Sequence, residues 1–223
     1  KKKMKSIILI APPSAGKGTI SKILSEKYNL PHISTGDLLR KYSQVDDEQG
    51  NYIRKQINSG NLVSDELIVS LIGNRINEYD CKNGYILDGF PRNINQAKKY
   101  NEIITKLNKD LGIVILLDVS YDLAKKRILG RVSCPKCGAV YNLYSNDTRP
   151  RIVGICDKCG SELLRRDDDV EEIFNNRFSI YLNETKPVSD YYDDLNLLHV
   201  VDSSMELSKV IEKIEDILNK ENN

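Results

Sequence analysis

Ile7-Ile8-Leu9-Ile10 leads the chain straight into Ala11-Pro12-Pro13-Ser14-Ala15-Gly16-Lys17-Gly18-Thr19, after which Ile20, Ile23 and Leu24 recur at helical spacing. A run with no polar member reads as a strand buried on both faces, and that needs a parallel sheet covered by helices. Small residues between such a strand and a helix let backbone N–H groups turn into one concavity at the helix N-terminus. A lysine there meets phosphate oxygens and a hydroxyl serves Mg²⁺. Ser14, Ala15, Gly16, Lys17, Gly18 and Thr19 are therefore the candidate phosphate-binding set. A Gly-Lys turn at a strand end is common by itself; the strand before and the helix after it favour phosphate binding. The usual form of the loop opens with glycine, and here that place holds Ala11.

The same alternation continues. His32-Ile33-Ser34, Tyr85-Ile86-Leu87-Asp88, Ile113–Leu117 and Leu197–Val201 read as further strands. Helical spacing recurs behind Ser64 (Leu67, Ile68, Leu71, Ile72), from Gln96 to Leu107, and around Leu123, Ala124, Arg127 and Ile128. Ser203 and Glu206 form a capping-box pattern before Leu207, Val210, Ile211, Ile214 and Leu218. The expected fold is α/β, a phosphate-loop parallel sheet flanked by helices. Two stretches break the rhythm and read as insertions: 35–63, with short helices and no buried strand, and 132–165, with little helical periodicity. Hydrophobic residues at 40% and charged residues at 29% describe an ordinary globular chain, and a net charge of +1 argues against a broad nucleic-acid footprint. There is no apolar run long enough to span a membrane, and the basic start, Lys1 to Lys5, reads as a solvated tail; the expectation is a cytoplasmic protein.

Cys134-Pro-Lys-Cys137 and Cys156-Asp-Lys-Cys159 have the spacing of a zinc ribbon. Four thiolates leave tetrahedral Zn²⁺ no open position, so the expected metal is structural. The isolated segment would fit a nucleic-acid-binding ribbon equally well. Cys81 reads as a packed or surface residue.

Three blocks share the spacing of one family: Gly16-Lys17-Gly18-Thr19, then Ile33-Ser34-Thr35-Gly36-Asp37-Leu38-Leu39-Arg40, then Asp88-Gly89-Phe90-Pro91-Arg92. Together they resemble adenylate kinases, over nearly the whole chain. The resemblance implies a core of 1–34, 64–130 and 168–223, a helical AMP-binding insertion at 35–63, and a lid at 131–167. Some bacterial members hold zinc in that lid. It also implies a monomer that interconverts ATP and AMP with ADP and so balances adenine nucleotides. AMP would meet Thr35, Arg40, Asn61, Leu62, Val63, Gly89, Phe90, Pro91, Arg92 and Gln96. Arg40 and Arg92 would hold its phosphate, a task suited to the bidentate guanidinium. ATP would meet the phosphate loop, Arg127, Arg131, Val140, Tyr141 and Met205, while Arg127, Arg166 and Arg177 would surround the transferring group. Asp88, at a strand end, would hold Mg²⁺ through water.

Arg127 and Arg131 lie four apart, on one face if the helix extends that far. Asp168 and Asp169 read as caps of the next helix, with Glu171 and Glu172 favouring its N-terminus. Arg177 interrupts the apolar row Val170, Ile173, Phe174, Phe178, Tyr181, which points it toward the packed side. Family members usually carry glycine at positions 11 and 14. Ser14 thus implies a loop closing on ATP with modest strain, its hydroxyl available to a phosphate oxygen. His32 and His199 lie in no catalytic context. Two rivals remain: a kinase preferring UMP or CMP as acceptor, or GTP as donor, and a zinc-ribbon nucleic-acid or assembly module that binds ATP without turnover.

Overall fold

The structure, a computed structural model, describes residues 5–58, 63–167 and 169–222. β1 (Ile7–Ile10) lies at the centre of a five-stranded, wholly parallel sheet. β2 (His32–Ser34) and β3 (Ile86–Asp88) lie on one side, and β4 (Ile113–Asp118) and β7 (Leu198–Asp202) on the other, in the order β2-β3-β1-β4-β7. Because side chains alternate along a strand, β1 feeds two cores. Ile8 and Ile10 join Leu87, Val114 and Leu116 against α4 (Asp65–Ile76), α5 (Ile94–Lys106) and α8 (Lys186–Asp194). Ile7 and Leu9 face the opposite way, toward α1 (Lys17–Tyr28), α6 (Tyr121–Gly130), α7 (Glu171–Ile180) and α9 (Leu207–Glu221). All four side chains are essentially inaccessible, so truncating any one to alanine costs about 2–5 kcal/mol.

Two stretches separate the elements of this core. α2 (Thr35–Tyr42) and α3 (Glu48–Asn58) fill the first. The second carries a two-stranded antiparallel ribbon, β5 (Arg131–Ser133) and β6 (Val140–Asn142), over a small core of Val132, Cys134, Ala139, Cys156 and Leu163. Ser64 caps α4 through Leu67 N–H, as its sequence position predicts. The capping box before α9 does not form. Glu206 is the N-cap and no side chain caps the helix; the Ser203 hydroxyl is committed elsewhere.

α7 and α8 are joined by one π-helical turn, Tyr181–Thr185, in which Lys186 N–H reaches Tyr181 O. Pro187 explains it. Proline lacks the N–H for a regular turn and its ring strikes the carbonyl four residues back, so widening the preceding turn keeps the helix running. Among the described residues, no helix is long and apolar enough to cross a membrane.

Candidate active site

From β1 the chain leaves toward β2 on one side, and from the adjacent β4 it leaves toward β7 on the other, the switch point at which open α/β sheets form a crevice beyond their strand ends. Ser14 and Gly16 take the left-handed conformation, at φ 63° and 85°. Lys17 begins α1, with Gly18 and Thr19 exposed in its first turn. The side chain at position 14 therefore sits where glycine is favoured, as the strained-loop expectation requires. Ser14 Oγ is buried without a hydrogen-bond partner among the described residues.

β3 pairs with β1 so that Asp88 stands opposite Leu9, bringing its carboxylate to the loop. Lys17 Nζ lies 2.9 Å from Asp88 Oδ1, and His32 Nε2 lies 2.8 Å from Asp88 Oδ2. Burial would raise this carboxyl, but the His32 hydrogen bond and the Lys17 charge outweigh it and hold the group at about 2. His32, read from the sequence as lying in no catalytic context, thus contacts the candidate residue Asp88. β2 pairs with β3 in parallel, Ser34 opposite Asp88, so a side chain two residues earlier on the same face reaches the carboxylate.

After Asp88 the chain turns sharply at Gly89, at φ 77°, followed by a cis Phe90–Pro91 bond. A Cβ at Gly89 would lie 3.4 Å from both Lys17 Nζ and an Arg92 nitrogen, so this turn brings the two cations together. Arg92 Nε donates to Gly89 O at 2.9 Å. Its guanidinium reaches the surface, yet the surrounding protein lowers its pKa, with Asp88 opposing. Thr35 Oγ1 also donates to Gly89 O, at 3.0 Å. Phe90 and Pro91 are buried, Phe90 edge-on to Tyr100.

Gln96 is buried, and both ends of its amide are engaged: Oε1 accepts from Arg92 N–H at 2.9 Å and Nε2 donates to Asp65 Oδ1 at 2.7 Å. Asp65, which the sequence did not single out, also gathers Asn93 and Asn95. Val63 is buried, Arg40 is exposed and paired with Asp37, and Asn61 and Leu62 lie outside the described residues.

Three sequence readings in and around the second insertion change. α6 ends at Gly130 and Arg131 is already extended, so Arg127 and Arg131 share no helical face. Asp169 does not cap α7, whose N-cap is Val170; its fully buried carboxylate instead takes the Arg131 guanidinium in a two-pronged pair, with Nε to Oδ2 at 2.7 Å. Asp168 lies outside the described residues. Arg177 does not face inward: α7 buries only Phe174 and Phe178, a face one residue wide at each turn, and Arg177 on its flank is exposed. Arg166 is exposed too. Arg127 Nη2 donates to Ser203 O at 2.7 Å, and Met205, half-buried, precedes the N-cap of α9.

Cys134, Cys137, Cys156 and Cys159 bring their Sγ atoms within 4.8 Å of one another. Zn–S bonds of about 2.3 Å put tetrahedral sulfurs about 3.8 Å apart, so the residues fit the ion. The Tyr141 phenol lies 3.5 Å from Cys156 Sγ and receives Asp157 N–H at 3.0 Å. Its hydrogen bond, opposed by burial, draws the Cys156 thiol down, while at Cys137 the Ala139 backbone hydrogen bond is outweighed by the neighbouring sulfurs, which push that thiol up. Val140, beside it on β6, is exposed. Cys81 is a packed residue, against Arg75.

The family model for adenylate kinase matches residues 9–197. An adenylate kinase of Fervidobacterium nodosum is 41% identical over 213 residues, covering 96% of this chain and 97% of the relative. Adenylate kinases of Thermosipho melanesiensis and Clostridium novyi are 41% and 40% identical, over 96% and 94% of the chain and 100% and 96% of their own lengths. With its phosphate loop beside Asp88 and Arg92 and this likeness from end to end, the chain belongs to the adenylate kinase family and is a nucleoside monophosphate kinase, an enzyme of phosphoryl transfer between nucleotides.

Proposed function

We propose that the chain catalyses ATP + AMP ⇌ 2 ADP by direct in-line transfer. The carrying observation is the convergence of Lys17, Asp88, Gly89 and Arg92 where β1 and β3 end, since it sets a phosphate-loop cation beside a second, forked one. The donor lies on residues 14–19, with Lys17 released from Asp88 to the terminal phosphates. The acceptor phosphate is held by Arg92 and Arg40, and its base by the segment from Thr35 to Val63. An oxygen of the AMP phosphate bonds to the γ-phosphorus as the bridging oxygen leaves with ADP, so no covalent enzyme intermediate forms. Catalysis is then positioning plus charge stabilisation, with Arg127, Arg131, Arg166 and Arg177 gathering over the phosphates.

Asp88, ionised at neutral pH, and the Thr19 hydroxyl are hard oxygen donors suited to Mg²⁺, which would neutralise phosphate charge when bound. The four cysteines would hold Zn²⁺ and give shape to residues 131–167, a segment whose own apolar core is small. That segment acts as a lid excluding water. Adenylate kinase lids are a standard instance of such closure.

The test is ADP formation from ATP with AMP, UMP, CMP or GMP, and from GTP with AMP. AMP with ATP should be the best pair. Faster turnover with another acceptor would move the assignment to a sister kinase, and no turnover with any pair would end it.

A further inference from the structure

Ser203 spends every polar group it has on a different segment. Its N–H extends the β4–β7 ladder to Asp118 O at 2.7 Å, its carbonyl accepts from Arg127 Nη2 at 2.7 Å, and its hydroxyl donates to Ala15 O at 2.6 Å. The residue is 3% exposed and Ala15 is 2% exposed, so water has no ready access to replace the last bond. Ala15 stands between the two left-handed residues of the phosphate loop, Ser14 and Gly16. A trans peptide is planar, with C=O and N–H pointing in opposite directions. Anchoring Ala15 O on Ser203 therefore fixes the Gly16 N–H to face the other way, away from the sheet's last strand.

We propose that Ser203 is a positioning residue for the donor nucleotide. It sets the Ala15–Gly16 peptide so that the Gly16 N–H is presented to a phosphate oxygen, and it ties Arg127 to the same frame. The proposal rests on the assignment of residues 14–19 to the donor. Nothing in it involves the acceptor side, so its effect is one-sided.

The experiment is calorimetric binding of ATP and of AMP to wild type, Ser203→Ala and Ser203→Thr, with melting curves and the Gly16 amide chemical shift. Loss of one neutral hydrogen bond corresponds to about five- to tenfold weaker binding. ATP affinity should fall by that factor in Ser203→Ala, AMP affinity should stay within about twofold, and Ser203→Thr, which keeps the hydroxyl, should restore ATP binding. The Gly16 amide resonance, whose peptide loses the bond at Ala15 O, should shift in Ser203→Ala without nucleotide. Equal ATP affinity in Ser203→Ala, or parallel losses for ATP and AMP, would overturn the proposal in favour of a purely structural serine. If Ser203→Ala does not fold, Ser203→Cys, close in size and a weak donor, should show the same donor-only loss, and equal binding there would overturn it. A wild type that binds no ATP would sink the assignment of the donor site itself, and the Gly16 amide shift, unchanged in Ser203→Ala, would still show that Ser203 does not orient the loop.

Discussion

His32 Nε2 and Lys17 Nζ hold the two oxygens of Asp88 separately, the histidine at 2.8 Å from Oδ2 and the lysine at 2.9 Å from Oδ1. The pair keeps the carboxylate ionised at a strand end where burial alone would favour its neutral form.

A stability difference with a defined pH window follows. The folded carboxyl sits at about 2, below the unfolded value of about 3.9. A depressed carboxyl contributes stability above its unfolded pKa, and that contribution is lost as pH falls through the folded pKa. Between about pH 5 and pH 2 the wild type should lose about 2 kcal/mol more than Asp88→Asn, which cannot titrate there. Urea unfolding of both proteins across this range measures it. Parallel pH profiles would mean that the contacts do not hold Asp88 down.

Lys17→Ala and Arg92→Ala should each lower turnover at least about a hundredfold, because charge-stabilising donors typically carry losses of that size. Both side chains border the Gly89 turn and neither fills a core cluster, so Arg92→Ala should change the melting temperature little, while Lys17→Ala, which leaves Asp88 without one of its partners, should lower it in addition to its effect on turnover. Initial rates of ADP formation at saturating nucleotide give the comparison. Near-normal rates in either variant would refute the role assigned to that residue.

Chelation should act on the cysteine cluster and leave the sheet intact. Beneath β5 and β6 lie a handful of buried residues, two of which are the proposed ligands Cys134 and Cys156. Without metal the segment has little to hold it. Stripped protein should melt at lower temperature and show faster amide exchange across 132–165, with about one zinc per chain recovered from untreated protein. An unchanged melting curve with no zinc recovered would defeat the metal assignment.

The sheet was legible because parallel strands buried on both faces leave apolar runs such as Ile7–Ile10 and Ile113–Leu117, and no periodicity argument was needed to find them. The cysteine cluster was legible because two knuckles and their spacing are local. What escaped depends on which strands become neighbours. His32 reaches Asp88 only because β2 lies beside β3, and Asp169 takes Arg131 only because the chain returns to the base of the ribbon after 38 residues. Ser203 was misread for the same reason: a helix cap is a local bond, while its actual acceptor, Ala15 O, is 188 residues away. Arg177 was misplaced by treating a row of apolar letters as one face, when Phe174, Phe178 and Tyr181 are buried, Ile173 is only partly so and Val170 is exposed.

Ser14 combines two costs that substitution can separate. Its φ of 63° places a Cβ in the left-handed region, and its hydroxyl is buried with no partner among the described residues. The conformational cost is about 1–2 kcal/mol, while a glycine there gives back about 0.4–1 kcal/mol through the freer unfolded chain. Relief should win, so Ser14→Gly should be more stable by up to about 1 kcal/mol, a rise of about 2–4 °C for a chain of this length. Ser14→Ala keeps the Cβ and removes only the hydroxyl. If that hydroxyl donates to a phosphate oxygen of the donor, both variants should bind ATP about three- to tenfold more weakly. Ser14→Gly no more stable than wild type would show that the loop carries no strain. Unchanged ATP affinity in Ser14→Ala would leave the hydroxyl without a ligand, and the serine would then be a burden on the loop and not a contact.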